Sequence, residues 1–275
     1  MALTEFQRTI CRLIAAHRVA SGESYVAGAV ALNELLGATR VSRDIDLFHD
    51  TEAAVDAAWT ADRALLEAEG LLVRAVRERA GFVEAEVSRE GQTVLMQWAR
   101  DSAFRFFPLV QHPDLGLTLH AFDLATNKVL ALVGRLEARD WIDVIVCDQR
   151  LQPLGYLAWA ACGKDPGFSP AAILEHAART ARYSQAEIQA LAFSGPAPDA
   201  GELSRTWHAM LEEARHIVAL LPVEEAGTCV LGTRAELYRG GAADLRAALQ
   251  EHAIVYHHGR IRGALPRLIT VEQPS

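Results

Sequence analysis

Asp44 and Asp46 lie one residue apart in the run "RVSRDIDLF", residues 40 to 48. Apolar and polar residues alternate there, which predicts a strand. Residues two apart on a strand share a face, with Cα atoms about 6.6 Å from each other. Two carboxylates so placed can converge on one hard cation. Mg²⁺ (or Mn²⁺) takes a few carboxylate oxygens and fills its remaining positions with water and substrate phosphate. The same pattern also fits two exposed acids on an edge strand, paired with Arg40 and Arg43.

Three further groups extend this chemistry. Gly28-Ala29 follows a short strand and opens a helix, so backbone N–H groups there can face an anion; an ordinary tight turn has the same sequence. Lys128 sits in "DLATNKVLALVGRL", a helix too apolar to be a solvated face. Of the 27 basic residues all but Lys128 and Lys164 are arginine, so a lysine here suggests use of a compact ammonium, such as gripping a phosphate. A snorkelling side chain at the helix edge is the alternative. In "EARDWIDVIVC", Asp140 fits a helix-capping acid. Asp143, one turn on among Trp141, Ile142 and Val144, fits either a site residue or a buried partner of Arg139 or Lys128.

The elements that must position these residues are of mixed type. Helices are expected over 4–19, where Thr4 and Gln7 form a capping box, and over 29–36, ended by Gly37. Others are expected over 52–69, 121–137 and from about Asp140 to Cys147. Strands precede Gly28, carry the two acids, and form a hairpin at roughly 81–88 and 93–99. After Pro153 helical patterns dominate, at 170–182, 184–193 and 203–221. The expectation is an α+β fold: a mixed sheet flanked by helices in residues 1–152, then a mainly helical region in 153–275. No regular βαβ alternation marks a doubly wound sheet.

Composition narrows the class. The chain of 275 residues carries a net charge of −8, so any nucleic-acid contact must be local. Arg74, Arg77 and Arg79 form one basic stretch, and Arg260, Arg262 and Arg267 another; both also fit ordinary solvated charge. Four scattered cysteines, with no signal pattern and no membrane-length apolar run, predict a reduced, cytoplasmic protein without a membrane partner.

Taken in series, "VAGAVAL", "RVSRDIDLF", "LATNKVLALVGR" and "RDWIDV" resemble the AbiEii/AbiGii-type toxin nucleotidyltransferases of the polymerase-beta-like superfamily. The resemblance covers roughly residues 24–148. It implies transfer of an NMP from an NTP to an acceptor, with release of pyrophosphate. It further implies that Gly28, Ala29 and Ser42 lie on the phosphate side and that Asp44 and Asp46 hold the metal. Lys128 would contact the triphosphate and Asp143 would sit near the attacking group. The implied partners are an NTP, an RNA acceptor such as tRNA, and a cognate antitoxin protein. Two positions depart from the family pattern: Ala29 replaces a second glycine or a serine, and Gln97 stands where a third carboxylate is usual. Asp101 or Glu86 would have to substitute for it. The departures motivate a second reading, a catalytically impaired nucleotide-binding or interaction protein on the same fold.

Overall fold

The computed structural model describes residues 3–180 and 183–266; Arg267, in the second basic stretch, lies outside them. In chain order the N-terminal elements are α1 (Glu5–Ser21), β1 (Ser24–Val26), α2 (Gly28–Leu36), β2 (Asp44–His49) and α3 (Glu52–Ala68). The strands β3 (Leu72–Arg79), β4 (Phe82–Arg89), β5 (Gln92–Arg100), β6 (Phe104–Arg105), β7 (Val110–His112) and β8 (Gly116–Thr118) follow. The helices α4 (Ala121–Arg135), α5 (Ala138–Arg150), α6 (Leu154–Ala161), α7 (Pro170–Ala177), α8 (Gln185–Gln189) and α9 (Ala200–Leu220) come next. The chain ends in β9 (Cys229–Gly232), α10 (Ala242–Gln250), β10 (Ile254–His257) and β11 (Arg260–Ile261). This is the expected α+β architecture: a mixed seven-stranded sheet with helices, then a mainly helical region.

The chain forms two compact units. One comprises residues 1–103, 108–124 and 189–197, and the other 104–107, 125–188 and 198–275. The units divide inside α4; residue 152 lies within the second, between α5 and α6.

The first unit is built on the sheet β3-β4-β5-β2-β1-β8-β7. β2 runs parallel to β5, and β1 parallel to β8; the other pairs are antiparallel. Period-two sequence sorts the residues by face. Ile45 and Leu47, Val94, Met96 and Trp98, and Val83, Ala85 and Val87 are all buried. Against this face lies α3, whose Trp59 meets Trp98 edge-on at 4.9 Å. Trp98 Nε1 donates to the buried Asp62 at 3.0 Å. The alternate residues, Asp44, Asp46, Leu95, Gln97, Glu84 and Glu86, line the opposite, half-open face.

In the second unit α6, α7 and α10 pack on α9. Tyr156, Trp159, Ile217, Leu221, Val230 and Leu245 make one buried cluster. The antiparallel pair β9–β10, joined through α10, belongs to it and was not expected, because its strands are only four residues each. The helix expected at 170–182 is α7 and a 3₁₀ turn, Ala178–Thr180; 181 and 182 lie outside the described residues. Only Gln185–Gln189 of the helix expected over 184–193 forms.

Candidate active site

Asp44 and Asp46 do not lie on an edge. β2 is an inner strand between β5 and β1, and both acids are half-buried. The edge-strand reading is therefore replaced by one in which two carboxylates share the half-open face of a sheet interior. Neighbouring strands fix their rows. Asp46 stands opposite Gln97 on β5, and Gln97 opposite Glu84 on β4. Asp44 stands opposite Leu95, which faces Glu86.

Gly28 sets the backdrop for Asp46. The Ala27 N–H donates to the Asp46 carbonyl at 3.0 Å, drawing the start of α2 against the strand. Gly28 has φ +65. A Cβ there would lie 3.0 Å from Asp46 Cγ and 3.2 Å from its Cβ, and would overlap Oδ2. The glycine is thus required twice, by its backbone conformation and by the carboxylate against it. The N-cap of α2 is Ala27, which offers no side-chain oxygen to the first-turn N–H groups. Ala29, expected beside the turn, is the buried second residue of the helix.

Ser42 shapes the entry to the acid strand. Its hydroxyl donates to the Asp44 carbonyl at 3.2 Å. Its own carbonyl accepts from Gln7 Nε2 at 2.9 Å. Gln7 also closes the capping box of α1, accepting from the Thr4 N–H at 2.9 Å.

Gln97 brings no charge to the row. Its Nε2 donates to Glu84 Oε2 at 2.9 Å, so the next acid after Asp46 in the row stands one strand beyond it. Sequence reasoning missed Glu84: only the β4–β5 register brings it opposite Gln97. Of the two acids that would have to substitute, Glu86 pairs with Arg74, and Asp101 lies beyond the end of β5. Among the described residues no group of three or more His, Cys, Asp or Glu is placed to hold a metal ion. Two carboxylates on one face are the donor type that a Mg²⁺-type cation takes.

The second unit gathers Lys128, Asp140 and Asp143. Lys128 Nζ lies 2.9 Å from Asp140 Oδ1 and 3.2 Å from Asp143 Oδ2, and all three are buried. Arg135 adds a fork to Asp140, with Nε and Nη2 at 3.1 and 3.0 Å. Two cations thus meet two carboxylates. Asp140 is not a helix cap; the N-cap of α5 is Glu137, and Asp140 spends its oxygens on Lys128 and Arg135. Arg139 pairs with Glu137, and Lys128 is a partner of Asp143. Lys128 is not a snorkelling edge residue either, since its ammonium ends in this buried network. Burial and the charge of Asp143 push the Cys147 thiol up, so the cysteine one turn from Asp143 is no nucleophile.

No family model matches the chain, and no curated protein matches it. Solved structures do. JHP933 from Helicobacter pylori shares 13% identity at a TM-score of 0.55, over 79% of this chain and 95% of that one. MenT4, a nucleotidyltransferase toxin from Mycobacterium tuberculosis, shares 15% at a TM-score of 0.50, over 80% and 83%. The chain has the fold of these two proteins. At such identity the likeness is one of backbone arrangement, and the chemistry must come from this chain's own residues. No helix among the described residues is long and apolar enough to cross a membrane.

Proposed function

We propose that the protein is a metal-dependent nucleotidyltransferase that moves an NMP from an NTP to an acceptor, releasing pyrophosphate, as the toxin of an AbiE-like toxin–antitoxin pair. The observation that carries the reading is the Asp46 carboxylate set against the Cα of Gly28, at the N-terminus of α2, with Asp44 on the same face. An acid pair beside a helix N-terminus suits a metal–triphosphate: carboxylates for the cation, N–H groups for phosphate oxygens. The fold shared with MenT4 supports it.

Asp44 and Asp46 would hold the cation, which would supply positive charge toward the triphosphate and the leaving pyrophosphate. Gly28 lets the backbone approach the phosphates, and the Ala29 N–H belongs to the same first turn. Ser42 serves by holding the Asp44 backbone. Lys128 is the proposed triphosphate contact and Asp143 the group that orients the attacking hydroxyl; Asp140 and Arg135 keep both in place.

The test is direct. The protein is incubated with Mg²⁺, each α-labelled NTP in turn, and total RNA or small-molecule acceptors. Label should transfer, and Asp44→Ala or Asp46→Asn should lower the rate by about 10²–10³-fold, the usual loss on removing a group that stabilises transition-state charge. The toxin assignment predicts growth arrest on expression, relieved by an adjacent gene. The neutral Gln97, tied to Glu84, favours a second reading, a nucleotide-binding module without catalysis. NTP binding with no label transfer to any acceptor would overturn the first reading in favour of the second.

A further inference from the structure

The half-open face continues beyond the acids to the edge of the sheet, and its rows can be read from register. One row is Asp44, Leu95, Glu86, Arg74. The next is Asp46, Gln97, Glu84, Arg77, and the third is Phe48, Ala99, Phe82, Arg79. Strand spacing puts β3 about 14 Å from β2. Arg74 and Arg77 are three apart and would face opposite ways on a regular strand. A register shift between Ala75 and Arg77 absorbs the extra residue, so Arg74, Arg77 and Arg79 form one column on this face.

The column is exposed, on an edge strand with Val73 alone buried. Arg74 pairs with Glu86 at side-chain exposures of 64% and 39%, an ion pair open enough to exchange partners. The Arg79 guanidinium lies over the Phe82 ring, 4.9 Å from its centroid. Arginine forks match phosphate oxygens, and an aromatic ring stacked with a guanidinium offers a platform for an unpaired base. An acidic peptide would satisfy the arginines and leave the platform idle. A duplex hides the base faces that the platform would take.

We infer that the β3 edge of this face binds a single-stranded polynucleotide, its phosphates on Arg74, Arg77 and Arg79 and a base on the stacked Arg79–Phe82 pair. This deepens the nucleotidyltransferase reading by naming the acceptor class of the same sheet face. It rests on that reading for its role in the reaction, while the binding itself does not.

The experiment measures anisotropy of a fluorescein-labelled, mixed-sequence single-stranded RNA with the full chain, without NTP and with EDTA, between 50 and 200 mM KCl. Single strands lose about 0.7 in the slope of log K against log salt for each phosphate neutralised. The triple change Arg74→Ala, Arg77→Ala, Arg79→Ala should reduce the slope by about 2 and weaken binding at least tenfold at 50 mM. Phe82→Leu should weaken binding and leave the slope alone. Arg63→Ala, an exposed arginine on α3, should change neither. Circular dichroism checks folding; if the triple variant does not fold, Arg77→Ala alone should show about 0.7 of slope. No RNA binding by the unaltered chain, or unchanged slope and affinity in these variants, overturns the inference. Displacement of the RNA by polyglutamate at equal charge concentration also overturns it, in favour of an acidic protein. A missing transfer activity in the unaltered chain, with intact, arginine-dependent RNA binding, would sink the catalytic reading alone.

Discussion

Gly28→Ala tests the geometry on which the candidate site stands. Two penalties are expected. An L-residue at φ +65 costs about 1–2 kcal/mol. The added methyl also overlaps Asp46 Oδ2, which must swing aside into a poor rotamer for about 0.5–1.5 kcal/mol more. The sum is about 1.5–3.5 kcal/mol. These terms separate in a double-mutant cycle with Asp46→Ala. That change removes the carboxylate and leaves only the 3.2 Å approach to Cβ, which a small shift relieves. Gly28→Ala should then cost only the backbone term, giving a coupling of about 1 kcal/mol. Urea unfolding of the four proteins, followed by tryptophan fluorescence, measures it. In the single variant Mn²⁺ affinity, read by electron paramagnetic resonance, should fall as Asp46 is pushed aside. Equal cost in both backgrounds would show that Asp46 does not lie against Gly28, and the reasoning from that contact would fail.

Other outcomes follow from the buried charges. Lys128→Met removes the ammonium that Asp140 and Asp143 share, while Asp140 keeps its Arg135 fork, and should cost about 3–5 kcal/mol in urea unfolding; a loss below about 1 kcal/mol would mean the network is not formed. Burial lowers the His49 pKa to about 4, so the folded state holds it neutral. Its unfolded value is higher, so the associated stability, about 3 kcal/mol, is complete above pH 6.5 and drains away as pH falls toward 4. Unfolding at pH 7.0 and 4.5 should show that loss in the parent chain and a much smaller one in His49→Gln.

The acid strand was legible because alternation survives in "DIDLF", and α1 because Thr4 and Gln7 spell its cap. The helix and turn at Gly28 were legible from one glycine after a strand. What stayed hidden depends on neighbours. β3 was missed because its irregularity breaks the two-residue period at Ala75 to Arg77. Glu84 gained meaning only through pairing with Gln97, which lies in another strand. Asp140 looked like a cap because sequence shows its place near a helix start and not the Lys128 and Arg135 that claim it. Lys128 and Asp143 were each open to two uses, and their salt bridge picks out the partner without excluding the use.

Gln7 links the beginning of the chain to the acids. One side chain closes the first turn of α1 and holds the backbone at Ser42, two residues before Asp44. Fraying at the N-terminus is therefore not a local event. When that turn opens, the strand bearing the acids loses an anchor, and a stretch outside the sheet becomes a dial on how steadily the carboxylates are aimed.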